Sequence, residues 1–174
     1  LNSIAGFSEL ITDESLDAVT REEFKDLILN NSTTLLSIVN NILELSELVS
    51  SYEPLPVEPT DIYGLCVEEM EILKEKILNS DILCITEADK KEIIIPTNAF
   101  YLSRVIGNLL SNAAKFTEKG TITLTCQIDE DQEVVVISVT DTGIGIPTDK
   151  QEWVFERFTK VDDFKPGTGL GLYI

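Results

Sequence analysis

Residues 20 to 50 carry apolar side chains at helical spacing. Ile28, Leu35, Ile42 and Val49 recur every seven residues, Phe24, Ile38 and Leu45 fill most of the interleaved positions, and Asn31 takes the remaining one. Leu36, Val39 and Leu43 widen this stripe beyond a two-stranded seam, which predicts a helix packed in a bundle. Thr20 followed by Glu23 predicts a capping-box start. Upstream, Ile4, Phe7 and Leu10 or Ile11 share one face of a short helix, joined to the long one by the polar stretch "TDESLDAV". This block reads as a helical hairpin whose apolar stripe needs more cover than one hairpin provides.

The pattern changes at "SYEPLPVEPT" (51–60), where three prolines end the long helix and predict a linker. Beyond it, Ile62, Leu65, Cys66, Met70, Leu73 and Ile77 trace a second amphipathic helix, and "DILCIT" and "EIIIP" are short strand candidates. A helix over about 98–115 follows, with Leu102, Val105 or Ile106, Leu109 and Ala113 as its expected buried face. Then "TITLTCQI" and "EVVVISVT", joined by the acidic turn "DEDQ", read as a hairpin. The order predicts helices packed on one face of a mostly antiparallel sheet.

Composition narrows the function. The 174 residues are 43% hydrophobic and 25% charged, the balance of a globular domain, and no apolar run approaches the length of a membrane span. Thirteen basic residues stand against 31 acidic ones, for a net charge of −18, which disfavours a nucleic-acid partner. An anionic ligand would need a site built locally from a few cations and backbone N–H groups. Cys66, Cys84 and Cys126 are not spaced as metal ligands and read as free thiols of a reducing cytoplasm. The sequence contains no histidine, which removes the commonest general base and zinc ligand.

Four stretches carry candidate chemistry. Asn108, Asn112 and Lys115 share one face of the helix over 98–115. Asparagine is mildly unfavourable inside a helix, so this face is either a solvated polar surface or a set of hard amide oxygens for Mg²⁺ beside a cation for phosphate. "DTGIGIP" (141–147) places Asp141, Gly143 and Gly145 at a strand end, where glycines can turn the chain or admit a ligand to bare backbone. "FERF" (155–158) spaces Phe155 and Phe158 as core anchors on one helical turn. In "PGTGLGLYI", Gly167, Gly169 and Gly171 precede the start of a helix, an arrangement that lets N–H groups approach a phosphate.

In their order these stretches resemble the catalytic domains of two-component sensor histidine kinases, of the GHKL superfamily. "NLLSNAAKF" (108–116) is similar to the N box, "DTGIGIP" to the first glycine box, "FERF" to the F box and "GTGLGL" (167–172) to the second glycine box. The hairpin resembles the dimerisation and phosphoacceptor domain that precedes this module, so the resemblance spans essentially the whole chain. DNA gyrase and the mismatch-repair ATPases share the ATP fold but lack this hairpin and this form of F box. The implied architecture is α+β. Residues 1–52 form a helical hairpin, half of a dimeric four-helix bundle; 53–60 are a linker; 61–174 are a two-layer α/β sandwich ATP-binding domain (Bergerat fold), incomplete at its C-terminal end.

The resemblance also implies roles. Asp141 accepts a hydrogen bond from the adenine amino group, and Gly143 and Gly145 let backbone approach base and ribose. Asn108 and Asn112 hold Mg²⁺. Lys115, with Phe116 beside it, and the second glycine box (Gly167, Thr168, Gly169, Leu170 and Gly171) meet the rest of the ATP. "TKVDDFKP" (159–166) resembles a lid in which Lys160 contacts the γ-phosphate, with Arg157 a weaker candidate. The implied partners are a second copy of the hairpin and a response-regulator receiver domain, and the implied location is cytoplasmic, with any membrane segment outside this chain. The family's acceptor histidine precedes a Leu-Asn pair, and this sequence begins Leu1-Asn2, so the chain reads as a kinase piece without its acceptor. Asn98 stands where the family usually has an aspartate, and either residue caps a helix. A non-catalytic module that binds nucleotide or only dimerises is the alternative reading.

Overall fold

The computed structural model describes residues 2–13, 15–50, 55–77, 79, 81–156, 159–160, 169 and 171–173; at 44, 45 and 47–50 only the helical backbone is described. Helices α1 (Asn2–Leu10) and α2 (Ala18–Ser50) form the expected hairpin. The rings of Phe7 and Phe24 meet at 5.2 Å, and Arg21 Nη2 donates to the Asp13 carbonyl at 3.0 Å across the turn. The start of α2 differs from the expected capping box. Asp17 Oδ1 accepts the N–H groups of Val19 and Thr20, each at 3.0 Å, and Thr20 Oγ1 donates to Asp17 Oδ2 at 2.7 Å. A carboxylate satisfies these orphan donors, and the Thr20 hydroxyl is already committed to it. The bonds, the Thr20 N–H first, hold the Asp17 carboxyl below its ordinary value. The cap is therefore intact above the usual carboxylate range and is lost as pH falls through the lowered value.

Along α2, Phe24, Ile28, Leu35 and Ile38 are half-buried, whereas Leu36 (63%), Ile42 (45%) and Leu43 (57%) stay exposed. Leu45 and Val49 fall among the side chains outside the description. A single hairpin thus covers only part of the stripe.

The second block opens with β1 (Glu58–Asp61), α3 (Ile62–Lys76), β2 (Ile82–Ala88) and β3 (Ile94–Thr97). It continues through α4 (Ala99–Phe116), β4 (Gly120–Asp129) and β5 (Val134–Asp141). Short 3₁₀ turns follow at Thr148–Lys150 and Trp153–Phe155. Residues 58–60, expected within the linker, are strand. Glu58 pairs with Thr97 and Asp61 with Ile94 in an antiparallel ribbon, which gives this proline-flanked stretch the partner that local sequence cannot reveal. β4 and β5 form the expected hairpin, with Ile122 opposite Asp141. β2 lies parallel to β4, so the three-stranded sheet, of order β2-β4-β5, is mixed. The crossover through β3 and α4 is long enough to bring the chain back in the same direction.

The core lies between α3, α4 and β4. Ile122, Leu124 and Cys126 alternate inward along β4, and meet Ile62, Cys66, Met70 and Leu73 of α3 and Ile106, Leu110 and Ala113 of α4. Leu110, not Leu109, is the buried leucine: it stands four residues beyond Ile106 and three before Ala113, on their common face. Phe155 is 58% exposed and so is no core anchor, while Phe158 lies outside the described residues. The side chains of Cys66 and Cys126 both lie inside the core. Burial, then the neighbouring Cys126, pushes Cys66 up to about 12, which makes it a packing group and not a nucleophile.

Leu110→Ala should cost about 2–5 kcal/mol of stability by opening a cavity against β4. Leu109→Ala, off the buried face, should cost no more than about 1 kcal/mol. Urea unfolding of the two variants checks this; equal losses would contradict the assigned face.

Candidate functional site

The chemistry-bearing residues gather around the second half of α4. The helix begins at Asn98, whose side chain accepts the Tyr101 N–H, and its buried stripe fixes its rotation against β4. That rotation sets Asn108 and Asn112 together on another face, both half-buried. Gly171 comes to the same place. A Cβ built on Gly171 would lie 3.9 Å from Asn112 Nδ2 and 4.0 Å from Asn108 Oδ1, so Gly171 rests against the asparagine pair. Lys115, in the last turn, holds its Nζ 4.6 Å from the centre of the Phe116 ring, and a cation there also suits the negative end of the helix dipole.

Where α4 ends, the first glycine stretch begins. The Phe116 carbonyl, one of the orphan acceptors of the helix terminus, accepts the Ile144 N–H at 3.3 Å. Gly143 packs so closely there that a Cβ would stand 2.4 Å from the Phe116 oxygen. The chain itself therefore requires this glycine, a reason separate from the ligand approach expected from sequence. Gly145 differs: its φ is +68° and nothing lies within 4 Å of a built Cβ, so its requirement is backbone conformation beside open space.

Asp141 closes β5 and is exposed. Its Oδ1 accepts the Gly143 N–H at 2.8 Å, which orients the carboxylate, and its second oxygen has no hydrogen bond from any described residue. Two residues that sequence reasoning missed hold this corner. Thr142 Oγ1 accepts the Thr121 N–H at 2.9 Å, while the Thr142 N–H donates to the Thr121 carbonyl at 3.1 Å. Gly120, at φ +126°, admits that hydroxyl: a Cβ would come within 2.1 Å of it. The signal available in sequence was a glycine opening a strand.

Lys160 is described, but no recorded contact among the described residues joins it to the asparagine pair. Gly169 has φ +70°. Gly167, Thr168, Leu170 and Arg157 lie outside the described residues. A cavity of about 540 Å³ lined by Lys76, Ile77, Ser111, Ala114 and Lys115 lies on another flank of α4; neither asparagine lines it, and we do not assign the site there. Among the described residues no group of three His, Cys, Asp or Glu side chains could hold a metal; the hard oxygen donors beside the glycine stretches include the Asp141 carboxylate and the side-chain amides of Asn108 and Asn112.

Comparison with known proteins decides the family. Residues 97–174 match the family "Histidine kinase-, DNA gyrase B-, and HSP90-like ATPase". Hybrid signal transduction histidine kinase L of Dictyostelium discoideum is 28% identical over 100% of this chain and 11% of its own length. Full-length ShkA in complex with AMPPNP superposes with a TM-score of 0.74 and 30% identity, over 99% of this chain and 36% of that one. Residues 97–174 belong to this ATPase family, and the chain as a whole is similar to two-component sensor histidine kinases. Histidine kinase ThkA, solved in complex with the response regulator protein TrrA, agrees at a TM-score of 0.73 and 25% identity over 90% of this chain and 46% of ThkA. The chain thus spans less than half the length of each of these relatives.

Gly143→Ala should displace the glycine loop from the end of α4 and destabilise the protein by about 1–3 kcal/mol. Gly145→Asn should be milder, because asparagine tolerates positive φ and the space is open. Thermal melts of both variants test this; a neutral Gly143→Ala would mean that the loop does not rest on Phe116.

Proposed function

We propose that this chain is the ATP-binding and dimerisation part of a protein-histidine kinase, which transfers the γ-phosphoryl group of Mg-ATP to a histidine lying upstream, for relay to a response regulator. One observation carries the reading: Asn108, Asn112, Gly171, Gly143 and Asp141, distant in sequence, converge on the second half and end of one helix. The AMPPNP named with ShkA and the response regulator named with ThkA support the nucleotide and the partner.

In this mechanism the oriented Asp141 carboxylate accepts the adenine amino group through its second oxygen. An acceptor there favours adenine over guanine, whose ring presents a carbonyl at the equivalent position. The open backbone at Gly145 passes under base and ribose. Asn108 and Asn112 would hold Mg²⁺ through their amide oxygens, and the ion would supply positive charge against the phosphates. Lys115 and Lys160 meet phosphate oxygens as point charges, and the second glycine box supplies N–H groups. Positioning and electrostatics carry phosphoryl transfer, so the chain's work is to hold the nucleotide for in-line attack by an imidazole.

Residues 1–52 act as the dimerisation unit, with 61–174 as the catalytic unit. Leu36, Ile42 and Leu43 are exposed on α2, and a second hairpin covers them in a four-helix bundle. No helix among the described residues is long and apolar enough to cross a membrane. We place the chain in the cytoplasm, where its three free thiols stay reduced.

Asp141→Asn replaces an acceptor with a donor facing the adenine amino group and should weaken ATP binding about tenfold or more. Calorimetric titration with ATP and GTP checks it; equal affinity for the two nucleotides, or no loss in the variant, would refute the adenine contact. The hairpin should sediment as a dimer when the chain carries its upstream residues, and Ile42→Asp should shift it to monomer. A wild-type monomer under those conditions would refute the bundle.

A further inference from the structure

Asn98 joins β3 to α4, and its amide makes two bonds with different demands. Oδ1 accepts the Tyr101 N–H at 3.1 Å, which caps α4. Nδ2 donates to the Pro56 carbonyl at 2.8 Å. The partners fix the orientation of the amide, since a backbone N–H only donates and a carbonyl only accepts.

The second bond stands where the β1–β3 ladder runs out. Glu58 is opposite Thr97, the last residue of β3, and the next residue, Asn98, already starts the helix. Pro56 has no N–H to offer, so an ordinary two-way backbone rung cannot form there. The Asn98 side chain supplies the donor that the ended strand cannot. The flanking Leu55 and Val57 are 43% and 64% exposed. An aspartate would cap α4 as well, but it would face the Pro56 carbonyl with an acceptor. The cap tolerates a carboxylate; the bond to Pro56 needs an amide.

We propose that Asn98 is a positioning residue for phosphoryl transfer. It fastens the chain that enters the ATP-binding unit to the first turn of the helix bearing Asn108 and Asn112. A displacement arriving along residues 55–57 is thereby delivered to a rigid helix, and so to the groups that hold the nucleotide. This rests on the nucleotide reading given above.

The test uses the full-length kinase and three variants. Asn98→Asp keeps a capping acceptor and loses the donor to Pro56, Asn98→Ser keeps a capping acceptor and draws its only donor back by one bond from Pro56, while Asn98→Ala loses both. Mg-ATP affinity is measured by calorimetry, exposure of the 55–57 backbone by hydrogen exchange, and transfer to the acceptor histidine by single-turnover kinetics. The Asp and Ser variants should bind Mg-ATP as the wild type does and exchange faster over 55–57. Their transfer rate should fall about threefold to tenfold, the range of one neutral hydrogen bond. Unchanged exchange and unchanged transfer in both, with normal Mg-ATP binding, would overturn this proposal alone, as would an effect confined to Asn98→Ala. Failure of the wild type to bind Mg-ATP would instead overturn the nucleotide reading.

Discussion

The contact between the Phe116 carbonyl and the loop that starts at Asp141 governs the rest of the site. A helix terminus leaves carbonyls without partners, and here the Ile144 N–H takes one of them. The approach is possible only because residue 143 has no side chain. That contact brings the end of β5 to the end of α4, and so sets the carboxylate of Asp141 near the helix that carries the asparagines. The Asp141–Gly143 bond and the Thr142–Thr121 pair then stiffen the same corner from the strand side. Two glycines, 120 and 143, serve this docking, while Gly145 serves the open side.

This corner depends in turn on the core beneath it. Ile106, Leu110 and Ala113 press α4 onto Ile122 and Leu124, and that packing fixes which face of the helix looks away from the sheet. Rotating α4 by one residue, to bury Leu109, would swing the asparagines by about 100°. The polar face is therefore positioned by its apolar opposite. Glu69 on α3 adds a polar tie to the same helix: it accepts from Ser103 Oγ and lies against Gly107, the residue before Asn108.

The hairpin obeys a different constraint. Its turn is held by polar groups, with Asp17 taking three donors and Arg21 reaching Asp13. Its apolar stripe is only partly used: Ile28 and Leu35 are half-buried, whereas Ile42 and Leu43 are open. The proposed association surface and the proposed nucleotide site thus reside in separate parts of the chain. In the proposed coupling, Asn98 attaches the second of these to the segment that leads from the first.

By itself the sequence determined what local periodicity and motif order encode. The 3.6-residue rhythm marked α2, α3 and α4, alternation marked β4 and β5, and Asp141, Gly143, Asn108 and Asn112 stood out because their residue types are costly or unusual at such positions. Long-range geometry was not legible there. No local signal showed that residues 58–60 would find β3 and become a strand, because pairing is decided by a partner some forty residues away. The parallel setting of β2, the burial of Leu110 over its neighbour, and Asp17 replacing Thr20 as the cap were likewise choices among local options that only packing or a specific hydrogen bond resolved. The same holds for function. Sequence could name a glycine that admits a ligand, but only the fold revealed that Gly143 is required by the Phe116 carbonyl, a contact between elements distant in sequence.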